Sequence, residues 1–328
     1  MNDRYARQSV LPEVGAAGQQ QLSSAHVLVV GAGGLGCPVL QYLAGCGVGT
    51  ITVVDPDVVS LSNLHRQILF TESDVEQPKA AVAATRLRAL NSEISVTPIV
   101  APLDPANASE WVENADVVLD CADSVAVTYT LSDVCLQHGV PLVSASVLGL
   151  SGYAGAFCAD APSVRAVFPD VPDTLANCSE AGVLGPVVGA IGAVQAQMVM
   201  SLLLQLPDSP LGSLWRFDGA TLRVSTLRFN GAPEPARHFP FVAASHLRAT
   251  DRVIELRDVQ EAPQAVMASA LRCLPADLEA LAPATPGQRT VLCCHSGLRA
   301  WRAAERLQVS HGGELALLAA GSLSSLEH

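Results

Sequence analysis

The sequence predicts an α/β protein: a Rossmann-like, mostly parallel sheet with added antiparallel strands, plus a small α/β second unit. Three observations predict it. From residue 26 to 147, short β-branched runs alternate with helical stretches, the pattern of a parallel sheet covered by helices on both faces. After residue 150 the pieces shorten and partly alternate, as antiparallel edge strands do. A stretch rich in Pro and Ala without a period, residues 231–247, then reads as a linker between residues 1–230 and a second unit at 248–325.

The elements follow in order. HVLVV (26–30) is an apolar β-branched run that stops at glycines, and residues 37–46 continue as a helix. ITVVD (51–55) is a second strand, and 78–90 a helix bearing Lys and Arg. ISVTPIV (94–100) and DVVLDC (116–121) are the third and fourth strands, 126–138 a helix, and PLVSASV (141–147) the fifth strand. GYAGAFCA, RAVFP, WRFDG and LRVSTLRF read as the added edge strands. The second unit opens with the strand RVIELRD, and its strand RTVLCC runs straight into a turn and the helix of HSGLRAWRAAERL.

Composition narrows the function. Of 328 residues, 49% are apolar and 15% charged, which marks a well-buried globular chain. Nineteen basic against 31 acidic residues give a net charge of −12, which argues against nucleic acid as a main partner. The N-terminus MNDRYARQ is polar and reads as lacking a signal peptide, so a cytoplasmic protein is expected. Leu326-Glu327-His328 resembles a tag remnant and is set aside. Nine irregularly spaced cysteines read as reduced thiols, and none has the C-x-x-C spacing of a zinc site. Residues 182–206 are nearly all apolar, but Pro186, glycines and three glutamines favour a core or subunit-interface helix over a membrane span.

The chemistry concentrates at the first sheet's edge. Gly31, Gly33 and Gly36, with Gly34 between them, form G-x-G-x-x-G after a strand and before a helix, a loop whose backbone can approach a phosphate. Asp55 ends the next strand 19 residues beyond Gly36, the offset of an acid on ribose hydroxyls. Asn63, Arg66 and Lys79 follow, a neutral donor and two cations suited to a triphosphate. Asp123, after the fourth strand, suits a Mg²⁺ ligand beside phosphates. A nicotinamide oxidoreductase would use the glycine loop but leaves Asn63, Arg66 and Lys79 without a task.

The runs GAGGLGCP, DPDVVSLSNLHRQILF, QPK and LDCAD, with RYARQ (4–8) and NCSEAGVLGPVVGAIGAVQA (177–196), resemble the ThiF/MoeB/HesA family, relatives of the ubiquitin-activating enzymes. The resemblance covers residues 1 to about 230; PLVSASVLG and WRFDGATLRVSTLR are closer to ThiF than to MoeB. It implies a homodimer that uses ATP and Mg²⁺ to adenylate the C-terminal glycine of a ubiquitin-like sulfur carrier of the ThiS/MoaD type, ending Gly-Gly. By it, Asp55 holds the ribose; Asn63, Arg66 and Lys79 the triphosphate; Asp123 the Mg²⁺. Arg7 would reach the phosphates of the other subunit's ATP, and Cys178 stands where the family has a cysteine able to bond the carrier. Thiamine biosynthesis is the first expectation, molybdopterin synthesis the second and tRNA thiolation the third. The chain departs from the family at Ser163 and Ala166, where a zinc-binding cysteine pair would stand, and after Asn230, which lacks the second pair; no zinc is expected. Ser124 replaces the usual Asn. A scaffold that binds a carrier without catalysis and a tRNA-modifying dehydratase on the same fold are the rival readings.

In the second unit Cys294 sits between a strand and a helix, with His295 and Arg299 near in sequence, features that favour a reactive thiol. Cys293 faces the other way and reads as inert. The loop Cys294-His295-Ser296-Gly297-Leu298-Arg299, with VIELRD, resembles a rhodanese domain over about 250–322. That implies a cysteine persulfide loaded from a persulfide donor or thiosulfate. Glu255 replaces the usual Asp, and GHIPGA is absent.

Overall fold

The computed structural model describes residues 3–171, 182–281, 283–308 and 313–321. Five parallel strands form the centre: β1 (His26–Val30), β2 (Thr50–Val54), β3 (Ser95–Ile99), β4 (Val117–Asp120) and β5 (Pro141–Leu148). Val29 pairs with Val53 on one side and Leu119 on the other. Antiparallel β6 (Ser151–Cys158), β7 (Ser213–Asp218) and β8 (Arg223–Arg228) extend the sheet, in the order β3-β2-β1-β4-β5-β6-β7-β8. The winding reverses between β1 and β4, which opens a crevice at their carboxyl ends.

The described helices of this unit are α1 (Ala6–Ser9), α2 (Gly15–Ser24), α3 (Gly36–Cys46), α4 (Lys79–Leu90), α5 (Ala108–Val112), α6 (Val125–His138), α7 (Val164–Val167) and α8 (Gly185–Leu203). α3, α4 and α8 cover one face through Leu40, Leu43, Leu87, Ile191 and Val199. By length and composition α8 could cross a membrane. Here it lies on the sheet, and its fully buried Gln195 donates from Nε2 to the Asp120 and Val143 carbonyls at 2.9 and 3.3 Å. RAVFP, expected as a strand, is α7: the Ser163 hydroxyl accepts the Ala166 N–H, and the Ser132 hydroxyl accepts that of Val164. These caps outweigh the short, partly alternating pattern.

A second sheet, order β10-β9-β11-β12, is parallel throughout: β9 (Arg252–Glu255), β10 (Leu271–Arg272), β11 (Thr290–Cys294) and β12 (Leu315–Ala319). α9 (Leu298–Leu307) follows β11. Within residues 231–247, expected as a linker, the part from Phe239 to Ala243 is packed while most of 231–238 is exposed. Segment 240–242 runs along β12, with Val242 donating to the Leu317 carbonyl and Leu317 to that of Pro240. Phe239 and Phe241 lie at 5.9 and 6.4 Å from the Trp301 ring, and Tyr129 of α6 at 4.7 Å. The Arg165 guanidinium, paired with Asp133, lies over both Tyr129 and Trp301. One hydrophobic cluster therefore holds Leu28, Leu131 and Phe157 of the first unit together with Ile254, Leu292 and Trp301 of the second. Near the departure from the zinc-binding pattern, the Glu234 carboxylate accepts the Ser163 N–H at 2.7 Å and its hydroxyl at 2.6 Å, tying segment 231–237 to α7.

Candidate active site

The crevice at the β1/β4 reversal is built from backbone first. Gly31 adopts φ +96°, and a Cβ there would stand 2.7 Å from the Cys121 carbonyl oxygen. A Cβ on Gly36 would meet the Gly31 oxygen at 2.0 Å. Only glycine permits this closure, which aims the N-terminus of α3 at the crevice. Gly33 and Gly34 form the loop's outer wall, and the stem of Arg66 lies against Gly34.

Asp55 follows β2 and is 4% exposed. Its Oδ2 accepts the Ala32 N–H at 2.7 Å and its Oδ1 that of Asp57 at 2.8 Å, so one carboxylate braces the glycine loop against the next turn. Burial pushes its pKa up, and the nearby Lys79 opposes the shift. Lys79 starts α4 and is itself 5% exposed; its Nζ donates to Asp57 Oδ2 at 2.8 Å. Asp57, largely exposed, is a partner that sequence reasoning did not single out. The DPD run was its available signal.

Asn63 and Arg66 share one turn. Arg66 donates from Nη2 to Asn63 Oδ1 at 2.9 Å, and its Nη1 lies 2.9 Å from His65 Nε2. Asn63 thereby keeps its NH₂ group to offer a ligand. Asp123 is exposed just past β4. Close behind it, the fully buried Asp120 accepts hydrogen bonds from Thr128 and Ser144 at 2.7 and 2.8 Å. Burial pushes Asp120 up to about 6, against the pull of those hydroxyls. Ser124 caps α6, its hydroxyl accepting the Val127 N–H, so the departure from Asn has a local structural use.

Two other candidate residues lie elsewhere. Arg7 is exposed on α1. Its neighbour Gln8 bonds the Cys46 carbonyl at the far end of α3, about 15 Å of helix rise from the glycine loop. This chain's own cradle therefore does not receive Arg7. Cys178 lies outside the described residues. Among the described residues no cluster of three or more His, Cys, Asp or Glu could cage a metal ion.

The second constellation is a thiol loop. Cys294 ends β11 with no exposed area. Its Sγ accepts N–H donors from Gly297 at 3.2 Å and Ala300 at 3.3 Å, at the N-terminus of α9. The guanidinium of Arg299 is bound by both oxygens of Glu261, and His295 is exposed with its ring against Gly321. Cys293 lies in a separate apolar cluster where burial drives its pKa upward. A Cβ on Gly297 would come 3.6 Å from Ala126, so the thiol loop rests on the first turn of α6, three residues beyond Asp123.

A mostly parallel sheet with a glycine loop at its winding reversal, cations at the rim and an added antiparallel edge defines a doubly wound α/β protein of the kind that binds ligands at this crevice. Residues 5–237 match the model of the ThiF family, and the chain belongs to that family. It is 42% identical over 234 residues to the SAMP-activating enzyme E1 of Haloferax volcanii, covering 71% of this chain and 87% of that protein. It is 47% identical over 218 residues to the adenylyltransferase and sulfurtransferase MOCS3 of Sus scrofa, covering 66% of this chain but 48% of the relative. The chain thus spans about half the length of the MOCS3 relatives it matches. Among solved structures, E. coli MccB with MccA-N7isoASN superposes with a TM-score of 0.64 at 24% identity, over 72% of this chain and 75% of that one. E. coli MccB with ATP gives 0.62 at 22% identity, over 72% and 73%. These two likenesses establish the shared fold.

Proposed function

We propose that the chain adenylates the C-terminal carboxylate of a small ubiquitin-like sulfur-carrier protein with ATP. The observation that carries this is the buried Lys79 ammonium, set with Arg66 at the rim of a glycine cradle. A hydride transfer has no use for these cations; a triphosphate losing pyrophosphate does. The names of the relatives, an activating enzyme and an adenylyltransferase, support the same reading.

In the proposed reaction a carrier carboxylate oxygen attacks the α-phosphorus, the bond to the β-phosphate oxygen breaks, and pyrophosphate leaves. The cradle's N–H groups orient the phosphates while Lys79 and Arg66 neutralise charge that builds on them. Asp57, released by Lys79 as phosphate takes its place, remains in solvent. Asp55 holds the ribose. The donor set fits Mg²⁺ arriving with the phosphates, since one exposed carboxylate plus phosphate oxygens is its usual environment; Asp123 would hold it. That ion would supply further charge neutralisation. Exposed Val10, Leu11, Tyr42 and Ile68 support a homodimer, in which the partner's N-terminal segment would supply Arg7 to the cradle. A cytoplasmic setting fits the free thiols among the described residues.

The test is ATP–pyrophosphate exchange with a panel of carriers from thiamine biosynthesis, molybdopterin synthesis and tRNA thiolation. Exchange with one carrier is expected, and the responding carrier names the pathway. No exchange with any carrier overturns the reading and favours a binding scaffold. For the second unit we propose sulfur carriage on Cys294 as a persulfide, supported by the two N–H donors on its Sγ. Cys294→Ala should abolish thiosulfate sulfurtransfer.

A further inference from the structure

The turn that presents Asn63 and Arg66 presents a third polar side chain that the reaction above leaves without a task. Gln67 is 3% exposed. Its backbone is fully engaged, N–H to the Asn63 carbonyl at 3.0 Å and carbonyl to the Phe70 N–H at 3.1 Å. Its side-chain oxygen is buried without a hydrogen-bond partner among the described residues. Its Nε2 lies 3.8 Å from a Cβ built on Gly33. Consecutive residues of one turn therefore cover consecutive glycines of the cradle: the Arg66 stem over Gly34 and the Gln67 carboxamide over Gly33.

Buried carboxamides in folded proteins are ordinarily held by their partners. Here the described residues supply none to the oxygen, so none of them dictates which end of the amide faces the cradle. A phosphate does dictate it, because its oxygens only accept. We propose that Gln67 is a nucleotide-binding residue whose carboxamide N–H, already on the Gly33 side, donates to a phosphate oxygen that lies over Gly33. The proposal rests on the adenylation reading and deepens it. A neutral donor suits this position, which lies beside Arg66 and a helix N-terminus already positive in character.

The experiment is equilibrium binding of ATP and of adenosine to the full chain and to Gln67→Met and Gln67→Glu, with melting temperatures of all three. Methionine keeps the length and packing but removes the donor; glutamate replaces it with an anion. Gln67→Met should bind ATP about tenfold more weakly, the loss of one charge-assisted hydrogen bond, and Gln67→Glu about a hundredfold. Adenosine affinity should stay within about twofold, and the melting temperature of Gln67→Met should not fall, since an unpaired buried polar group is removed. Wild-type affinity for ATP in Gln67→Met, or an equal loss for adenosine and ATP, overturns the proposal while leaving the adenylation reading intact. Failure of the wild-type chain to bind ATP overturns both.

Discussion

The two chemical loops of this chain share one local design and differ in access. The Gly31–Gly36 loop and the Cys294–Arg299 loop each run from the end of a parallel strand into a helix N-terminus, where backbone N–H groups converge. The first is open: Asp123 and Asp57 are exposed, and Arg66 is only partly covered. The second is closed: Cys294 has no exposed area, Arg299 is held by Glu261, and the joint of Trp301, Tyr129, Phe239 and Phe241 seals the loop on α6. Helix-end electrostatics prepares a site, but packing around it decides when it can be reached. On the proposed reading a diffusing nucleotide meets a ready cradle, whereas the fully buried Cys294 thiol would need its surroundings to move before sulfur could be loaded on it.

Breaking the joint tests that contrast most strongly. Trp301→Ala removes a buried indole shared by both units and should cost about 3–5 kcal/mol in a denaturant titration. Peptide mapping after alkylation should show Cys294 modified in the variant and protected in the wild type; equal protection would mean the closure lies elsewhere. At the open site, Lys79→Met should lower pyrophosphate exchange about 100- to 1,000-fold without unfolding the chain, because methionine fills the buried volume of the stem. Exchange at the wild-type rate would remove Lys79 from the phosphate site. Glu234→Gln weakens the tie to Ser163 and should cost about 1 kcal/mol, read as a shifted urea midpoint with exchange unchanged.

A further effect is confined to a pH window. Asp120 is pushed up to about 6 in the folded chain, above its ordinary 3.8. Between those values the folded state holds a proton that the unfolded state has released. Stability from this group is therefore present below pH 4, falls as pH rises toward 6 and is fully lost above it. Asp120→Asn does not titrate, so its melting temperature relative to wild type should rise between pH 4 and 6 and level off beyond. A flat difference would show that Asp120 ionises without penalty.

Much of the first unit was legible in the residues. The β-branched runs at 26–30 and 116–121 and the glycines behind the first specify strands and a turn, because each is decided by local sterics and by apolar surface that must be buried. The glycine positions were legible for the same reason: a Cβ at Gly36 would collide with the Gly31 oxygen, five residues away. RAVFP forms a helix because a short, partly alternating pattern is a weak signal, overruled by hydroxyls at Ser163 and at Ser132, 31 residues earlier. In the stretch 231–247 Pro and Ala carry no period, and Phe239 and Phe241, its anchoring residues, find partners only in the folded chain.

By itself the sequence determined the alternation of elements, the glycine cradle and the residue types available to it, all of which follow from covalent geometry, periodicity and charge. Only the tertiary structure decided which groups meet. It buried Lys79 against Asp57, left the oxygen of Gln67 beside Gly33 without a partner among the described residues, tied Glu234 to Ser163, and laid the thiol loop on the helix that follows Asp123. Those pairings join residues 22 to more than 150 positions apart, or depend on the absence of a neighbour. Both are set by how two sheets and their helices pack into one core, which no local preference encodes.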